Sequence, residues 1–414
     1  MYKQRNRRID FRHVKIDSFI LFFALIITVL TGSAIAHGDT TLFTLPERRI
    51  YAYTILVSLA AMLFLMVMFH KYCLSKLMLI PFIYAMFYAF DVYENSLSHL
   101  LDAGYMFIRL LPLFMLTPNL RMNLFRWYRN ILIIFSVIGI FCYLWYLFRM
   151  PGLYDVVDYY TGPGSGAYYI NFRLCYLFSE GRTLRLCCFF NEPGYLGTIL
   201  ALILCAERFD LKKKGNVILL IAGFLSLSVA FLFICAIYFM LIMYKRPKVF
   251  LLLVCVIMAY FFVLPIIATG DGAIAILAKR MIITEEGVSA TQRSSGVIDL
   301  AILDMLSSRN AIFGYGYGYI STLHISSGIS TFKTYIIHYG FGGFAAIFGT
   351  AFLMLLRKSR ENAFAVIFVI CVFASVYQRP DIFTYPYMVI LIGGVDNLEQ
   401  LKLRAKYKTE PEGL

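Results

Sequence analysis

Charge is scarce in this chain. Asp, Glu, Lys and Arg make up only 15% of its 414 residues, where a soluble domain carries about 25%. Apolar residues fill the gap at 60%, and the mean hydropathy is +0.74. These values exclude a soluble enzyme, a disordered chain and a collagen-like fibre. Several chemical signatures are missing too. No Asp-x-Asp occurs, so the usual metal–nucleotide-sugar clamp is absent. No Walker A motif or Gly-x-Ser-x-Gly elbow occurs. The six histidines lack metal-ligand spacing, and we expect no metal and no cofactor. No internal repeat is visible, which speaks against the repeated halves of many transporters.

What is present is a series of long apolar runs, such as that from Asn216 to Tyr244. A membrane β-barrel would instead alternate apolar and polar residues. The net charge of +14 does not indicate nucleic acid, because most of the 38 Lys and Arg fall in short clusters between or beyond the runs. These are the N-terminal tail to Lys15, Lys71 with Lys76, Arg121–Arg129, Arg208–Lys214, Lys245–Lys248, Arg357–Arg360 and Lys402–Lys408. That is the distribution expected of cytoplasmic loops.

A span needs about 20 apolar residues. With the N-terminus inside, we expect spans at about Ser18–Ala36, Tyr51–Phe69, Leu77–Asp91, Gly104–Thr117, Ile131–Phe148 and Pro193–Ala206. Further spans are expected at about Phe250–Ala268, Ile336–Leu356, Ala363–Tyr377 and Thr384–Val395. The run from 216 to 244 has basic clusters on both flanks. As one straight helix it would be about 43 Å long and end on the wrong side. Two short helices, or a re-entrant hairpin breaking near Ser226–Ser228, are expected instead. Ala34-Ile35-Ala36 resembles a signal-peptidase site, but the tail before the first run is long for a signal peptide, and we expect an uncleaved anchor. The expected architecture is all-α and polytopic: one membrane domain over 1–414 with about 11–12 membrane elements, external loops at 149–191 and 269–335, and cytoplasmic tails at 1–17 and 397–414.

The two external loops hold basic residues that the positive-inside rule should deplete: Arg149, Arg173, Arg182 and Arg185, then Lys279, Arg280, Arg293, Arg309 and Lys333. Arginine's planar fork suits phosphate oxygens, so the set points to a phosphate-bearing ligand at the membrane surface. The alternative is ion pairing with loop carboxylates such as Asp299 and Asp304. Arg109 lies within a span, where a charge faces a cavity or a partner; snorkelling, or pairing with Asp91 or Glu94, is the alternative. Cys175, Cys187 and Cys188 are either buried small residues or a disulfide set. Gly314-Tyr315-Gly316-Tyr317-Gly318 reads as a turn, with phosphate cradling the alternative. The densest segment runs from Arg182 to Gly197. Pro193 is placed to open a helix, and Glu192 before it is either a functional carboxylate or only a helix-start signal.

In this order the features resemble the bacterial O-antigen and capsule repeat-unit polymerases of the Wzy type. Arg185 precedes Glu192-Pro193 by seven residues in Phe189-Phe190-Asn191-Glu192-Pro193. Arg280, Arg293, the Phe313-Gly314-Tyr315-Gly316 turn and Tyr339-Gly340-Phe341-Gly342-Gly343 follow. The resemblance covers about 182–347. O-antigen ligases carry a His about eleven residues before the equivalent of Gly340; here that position is Ile329, and His324 and His338 are out of register. The resemblance implies a GT-C-like, metal-independent glycosyltransferase of the bacterial inner membrane that joins undecaprenyl-pyrophosphate-linked oligosaccharides. Donor and acceptor glycolipids, membrane lipids and a chain-length regulator are the implied partners. It implies Arg182, Arg185, Arg280 and Arg293 as pyrophosphate ligands, and Glu192, or else Asp299 or Asp304, as the base. An O-antigen ligase and a lipid-linked oligosaccharide flippase or transporter are the alternatives.

Overall fold

The computed structural model describes residues 11–34, 44–89, 97–158, 167–180, 183–243, 251, 266–267, 278, 283–284, 287–288, 296–316, 318–323, 332–377, 379 and 381–409. The described residues are mostly helical, at 76%. Four described helices are long and apolar enough to cross a bilayer, within Lys15–Gly32, Leu45–Met68, Pro118–Leu147 and Phe332–Ser359. Shorter apolar helices of 10–17 residues accompany them. The expected span at Phe250–Ala268 lies almost wholly outside the described residues.

Helices α1 (Phe11–Gly32) and α2 (Leu45–Met68) form an antiparallel pair. Lys71 just beyond α2 meets Asp17 at 3.0 Å, and the Tyr51 hydroxyl donates to the Leu30 carbonyl. Glu47 starts α2 by accepting from the Thr44 amide at 2.7 Å. Helices α3 (Leu79–Ala89) and α4 (Leu97–Met115) pack side by side. Helix α5 (Pro118–Leu147) starts well before the expected Ile131. Its basic cluster is therefore part of the helix and not a loop before it. The reason is burial: Arg121 is only 4% exposed and reaches Asp396 at 2.8 Å, and Pro118 supplies a helix start.

The helical bundle fits the all-α expectation, but the first long loop has regular structure that was not expected. The first long loop folds into an antiparallel meander of β1 (Asp155–Asp158), β2 (Ala167–Asn171), β3 (Tyr176–Glu180) and β4 (Thr183–Cys188). These stretches are rich in Tyr, Ile, Leu and Val, which suit a half-buried pleated surface. Ile170, Leu177 and Leu186 join the main core, so the sheet is a lid fused to the helices. Cys175, Cys187 and Cys188 are free and buried within it.

The sheet delivers the chain to α6 (Pro193–Ala206), the central helix. Every residue from Tyr195 to Ala206 is buried, which explains why α6 is apolar on all sides. Helices α7 (Lys214–Leu225) and α8 (Val229–Met243) divide the long apolar run at Ser226–Ser228, as expected. Helix α7 leaves from the C-terminal end of α6, where Lys213 meets Glu207 at 2.5 Å. Helix α8 comes back to that end, where Tyr238 and Phe239 lie against Phe209 at 5.1 and 4.7 Å. The pair is a hairpin.

From the second loop the described parts are a short β5–β6 hairpin (Ile283–Thr284 with Gly287–Val288), α9 (Gly296–Leu306), α10 (Asn310–Phe313) and α11 (Tyr319–Thr322). Helix α12 (Phe332–Ser359) kinks at Gly340, and α13 (Ala363–Ser375) and α14 (Tyr385–Thr409) complete the bundle. Most of the segment expected as a C-terminal tail is thus a continuation of α14.

One end of the bundle gathers cations around few carboxylates. Lys358 and Arg121 share Asp396. Arg126 donates to Asn397 and Gln400, and Arg129 to Asn216, at 3.0–3.1 Å. The opposite ends of the same helices carry the sheet, the start of α6 and the α13–α14 turn.

A candidate active site at the start of the central helix

Strand β4 and a tight turn place Glu192 in extended conformation as the residue before α6. Its carbonyl accepts from the Tyr195 and Leu196 amides at 3.1 and 3.3 Å. Its side chain does not cap the helix. The carboxylate reaches instead to Arg379, whose Nη2 donates to Glu192 Oε2. The carboxylate thus forms an ion pair across the fold and does not serve as a side-chain cap of its own helix.

Arg379 is 187 positions from Glu192 and belongs to the turn between α13 and α14. Its amide donates to the Ser375 carbonyl at 2.8 Å. The side chain is 9% exposed, against 35% for Glu192. It lies across Gly194, where an added Cβ would come within 2.4 Å of Arg379 Nη2. Burial disfavours the charged guanidinium. Glu192, followed by the Tyr387 hydroxyl and Asp381, outweighs that and holds its pKa above the usual arginine value. Around the pair, Tyr335 donates to Asp381 at 3.1 Å, and the Tyr195 and Thr384 hydroxyls are 3.3 Å apart. The Tyr195 and Tyr387 rings meet edge to face at 5.3 Å. The result is a partly open carboxylate backed by a buried cation and ringed by hydroxyls.

The residues singled out from sequence divide into three groups. Arg185 is close, but its guanidinium donates to the Ser226 and Leu227 carbonyls at 3.2 and 3.4 Å. It satisfies the backbone at the turn of the α7–α8 hairpin, a role the sequence did not reveal. Asp299 and Asp304, on α9, do not touch Glu192. Asp299 pairs with Lys333 at 2.5 Å, a loop ion pair of the kind expected as the alternative. Asp304 accepts from the Tyr315 hydroxyl at 2.8 Å; burial and this carboxylate push the Tyr315 phenol up to about 12. Arg182, Arg280 and Arg293 lie outside the described residues.

Arg109 packs along its own helix. Its guanidinium sits over the Tyr105 ring at 5.7 Å and donates to Met106 Sδ at 3.4 Å. Among the described residues no carboxylate pairs with it. The proposed partners Asp91 and Glu94 lie outside them.

The two glycine motifs meet each other. The amides of Tyr315 and Gly316 donate to the Ile337 and His338 carbonyls at 2.7 and 3.2 Å, just before the α12 kink. Gly314 (φ +80°) and Gly340 (φ +69°) press backbone against backbone, and a Cβ on either would fall within 2.6 Å of the other segment. Those two amides are used within the protein, which removes the phosphate-cradle alternative for them. Among the described residues no group of three His, Cys, Asp or Glu is arranged to hold a metal.

Comparison of the chain with protein-family models, with curated proteins and with solved structures finds no match. Sequence reasoning missed Arg379 and Asp381. The available signal was an Arg and an Asp in the short turn Gln378-Arg379-Pro380-Asp381, between two apolar runs and on the same expected side as Glu192.

Proposed function

We propose that this protein is a GT-C-like membrane glycosyltransferase of the Wzy type. It extends undecaprenyl-pyrophosphate-linked glycans with lipid-linked repeat units at the external leaflet of a bacterial inner membrane. The observation that carries this reading is the Glu192–Arg379 pair at the start of α6. It lies at the end of the bundle away from the Lys- and Arg-rich clusters, which by the positive-inside rule is the external end.

The reaction has two electrostatic needs. Pyrophosphate gains charge as its bond to the sugar breaks, so a cation must face it. Arg379 supplies that cation, and Arg185, Arg182, Arg280 and Arg293 are the further candidates from the loops. The acceptor hydroxyl must lose a proton, and Glu192 is the nearest described carboxylate to that cation. Arg109, a charge within a helix of the bundle, is suited to the charged headgroup of a lipid approaching sideways through the bilayer.

The test is deletion in the host followed by gel analysis of surface polysaccharide, with complementation by wild type, Glu192→Gln and Arg379→Gln. Loss of polymer with retention of single-repeat material supports the polymerase. Absence of any glycan on lipid A core identifies a ligase instead. Loss of all external repeat units, with lipid-linked material trapped inside, identifies a flippase.

A further inference from the structure

The arginines of α5 are treated in two ways. Arg121 is buried, and Asp396 meets its charge at 2.8 Å. Arg126 and Arg129, further along the same helix, are only half-buried and have neutral partners. Arg126 Nε and Nη2 donate to the side-chain oxygens of Asn397 and Gln400, and Arg129 Nη2 donates to that of Asn216, at 3.0–3.1 Å. Amide oxygens orient a guanidinium without cancelling its charge. Among the described residues Nη1 of both arginines has no hydrogen-bond partner, and neither has Arg129 Nε. Glu207 stands 4.0 Å from that Nε, but it already accepts from Lys213 at 2.5 Å and from Asn397 at 3.4 Å.

We infer that Arg126 and Arg129 form a binding site for the headgroup of an anionic phospholipid in the leaflet at this end of the bundle. Their remaining donors hold its phosphate. The site is at the opposite end from Glu192 and Arg379, and it does not depend on the reaction proposed there.

The surroundings suit a lipid. Trp127 lies between the two arginines in sequence and is exposed; tryptophan rings sit at headgroup level. Ile134, Val137, Phe141 and Leu144 are exposed further along α5, and their spacing puts them in one stripe on the helix surface. Val137 and Leu144 follow Arg126 by about three and five turns, so Arg126 lies in line with that stripe. A phosphate on Arg126 therefore leaves the acyl chains lying along exposed apolar side chains. Arg404, exposed on α14 one turn beyond Gln400, adds positive charge beside the same place. Guanidinium forks match phosphate oxygens, and basic pockets between membrane helices bind anionic headgroups. Phosphatidylglycerol keeps the net charge of its phosphate and fits. Phosphatidylcholine carries its own cation and does not.

The experiment places the full chain in nanodiscs of phosphatidylcholine, with and without phosphatidylglycerol. Retained lipid is read by native mass spectrometry, and thermal melts are recorded in both discs. Wild type should retain phosphatidylglycerol and melt higher where it is present. The double variant Arg126→Gln/Arg129→Gln should bind it on the order of tenfold more weakly and lose that rise. Its melt in phosphatidylcholine alone reports any loss of packing separately. Arg357→Gln/Arg360→Gln removes the same charge from exposed positions at the same end and should behave as wild type. An equal loss in that control shows general surface attraction and overturns the site. So does undiminished retention by the Arg126→Gln/Arg129→Gln protein, or no retention by wild type. If that protein does not insert, Arg126→Lys and Arg129→Lys carry the test, because they keep the charge and give up the fork. Each should bind more weakly than wild type, and unchanged binding in both overturns the site. Inorganic phosphate that raises the melt in phosphatidylcholine discs as far as phosphatidylglycerol does would show a free-anion site and overturn the lipid assignment.

Discussion

At the scale of single residues, the site depends on a missing side chain. Gly194 leaves the space in which the Arg379 guanidinium lies, and an added Cβ would come within 2.4 Å of it. The group displaced would be the end of a long side chain and not backbone, so the protein can yield at little cost in stability. It yields at the proposed reacting pair. Gly194→Ala should therefore melt close to wild type while polymer formation falls on the order of 10²-fold, the penalty for misplacing a reacting group by about 1 Å. Polymer length and membrane abundance, read together, check this. A large fall in abundance would mean that Gly194 serves packing and not the site.

At the scale of elements, the α7–α8 hairpin shows how a charged side chain can have a structural duty. Non-helical backbone at membrane depth needs internal partners. Ser226 is fully buried, and Arg185 donates to its carbonyl and to that of Leu227. Arg185→Ala removes both donations, and an orphaned buried acceptor such as the Ser226 carbonyl costs about 1–3 kcal/mol. The Ala variant should lose thermal stability accordingly, and Arg185→Lys, which can still donate to one carbonyl, should fall between. A purely ligand-binding Arg185 would instead leave both melts unchanged and affect only pyrophosphate binding. The hairpin break and the Pro193 start were legible in the sequence because serine, proline and flanking charge interrupt apolar runs visibly. The sheet was not. Its strands run four to six residues and never reach the length at which an apolar window registers. The early start of α5 was hidden because Arg121, Arg126 and Arg129 look like a loop until their partners on α14 and α7 are known. Arg379 escaped for the same reason: its partner is far away in sequence, and no local pattern marks it.

At the scale of the whole molecule, the two ends of the bundle are electrostatically different. At the Lys- and Arg-rich end, Asp396 is the shared carboxylate of Arg121 and Lys358, with both Arg121 and Asp396 nearly buried. Asp396→Asn would leave two cations without their anion, and breaking a buried pair costs about 3–5 kcal/mol. Lower membrane abundance and a lower melting temperature should follow, with no change in pyrophosphate affinity in the protein that remains. The same asymmetry predicts orientation. Lys212 precedes the hairpin and Lys245 follows it, whereas Arg173 lies exposed between β2 and β3 at the sheet end. On a cysteine-depleted background, single cysteines at 212 and 245 should react only with reagents supplied from the cytoplasm. A cysteine at 173 should react from outside. Labelling of 212 and 245 from opposite faces would mean that the α7–α8 run crosses once, which the return of Tyr238 and Phe239 to Phe209 argues against. Labelling of 173 from the cytoplasm would place Glu192 and Arg379 on the wrong side for an external-leaflet reaction and would remove the proposed function.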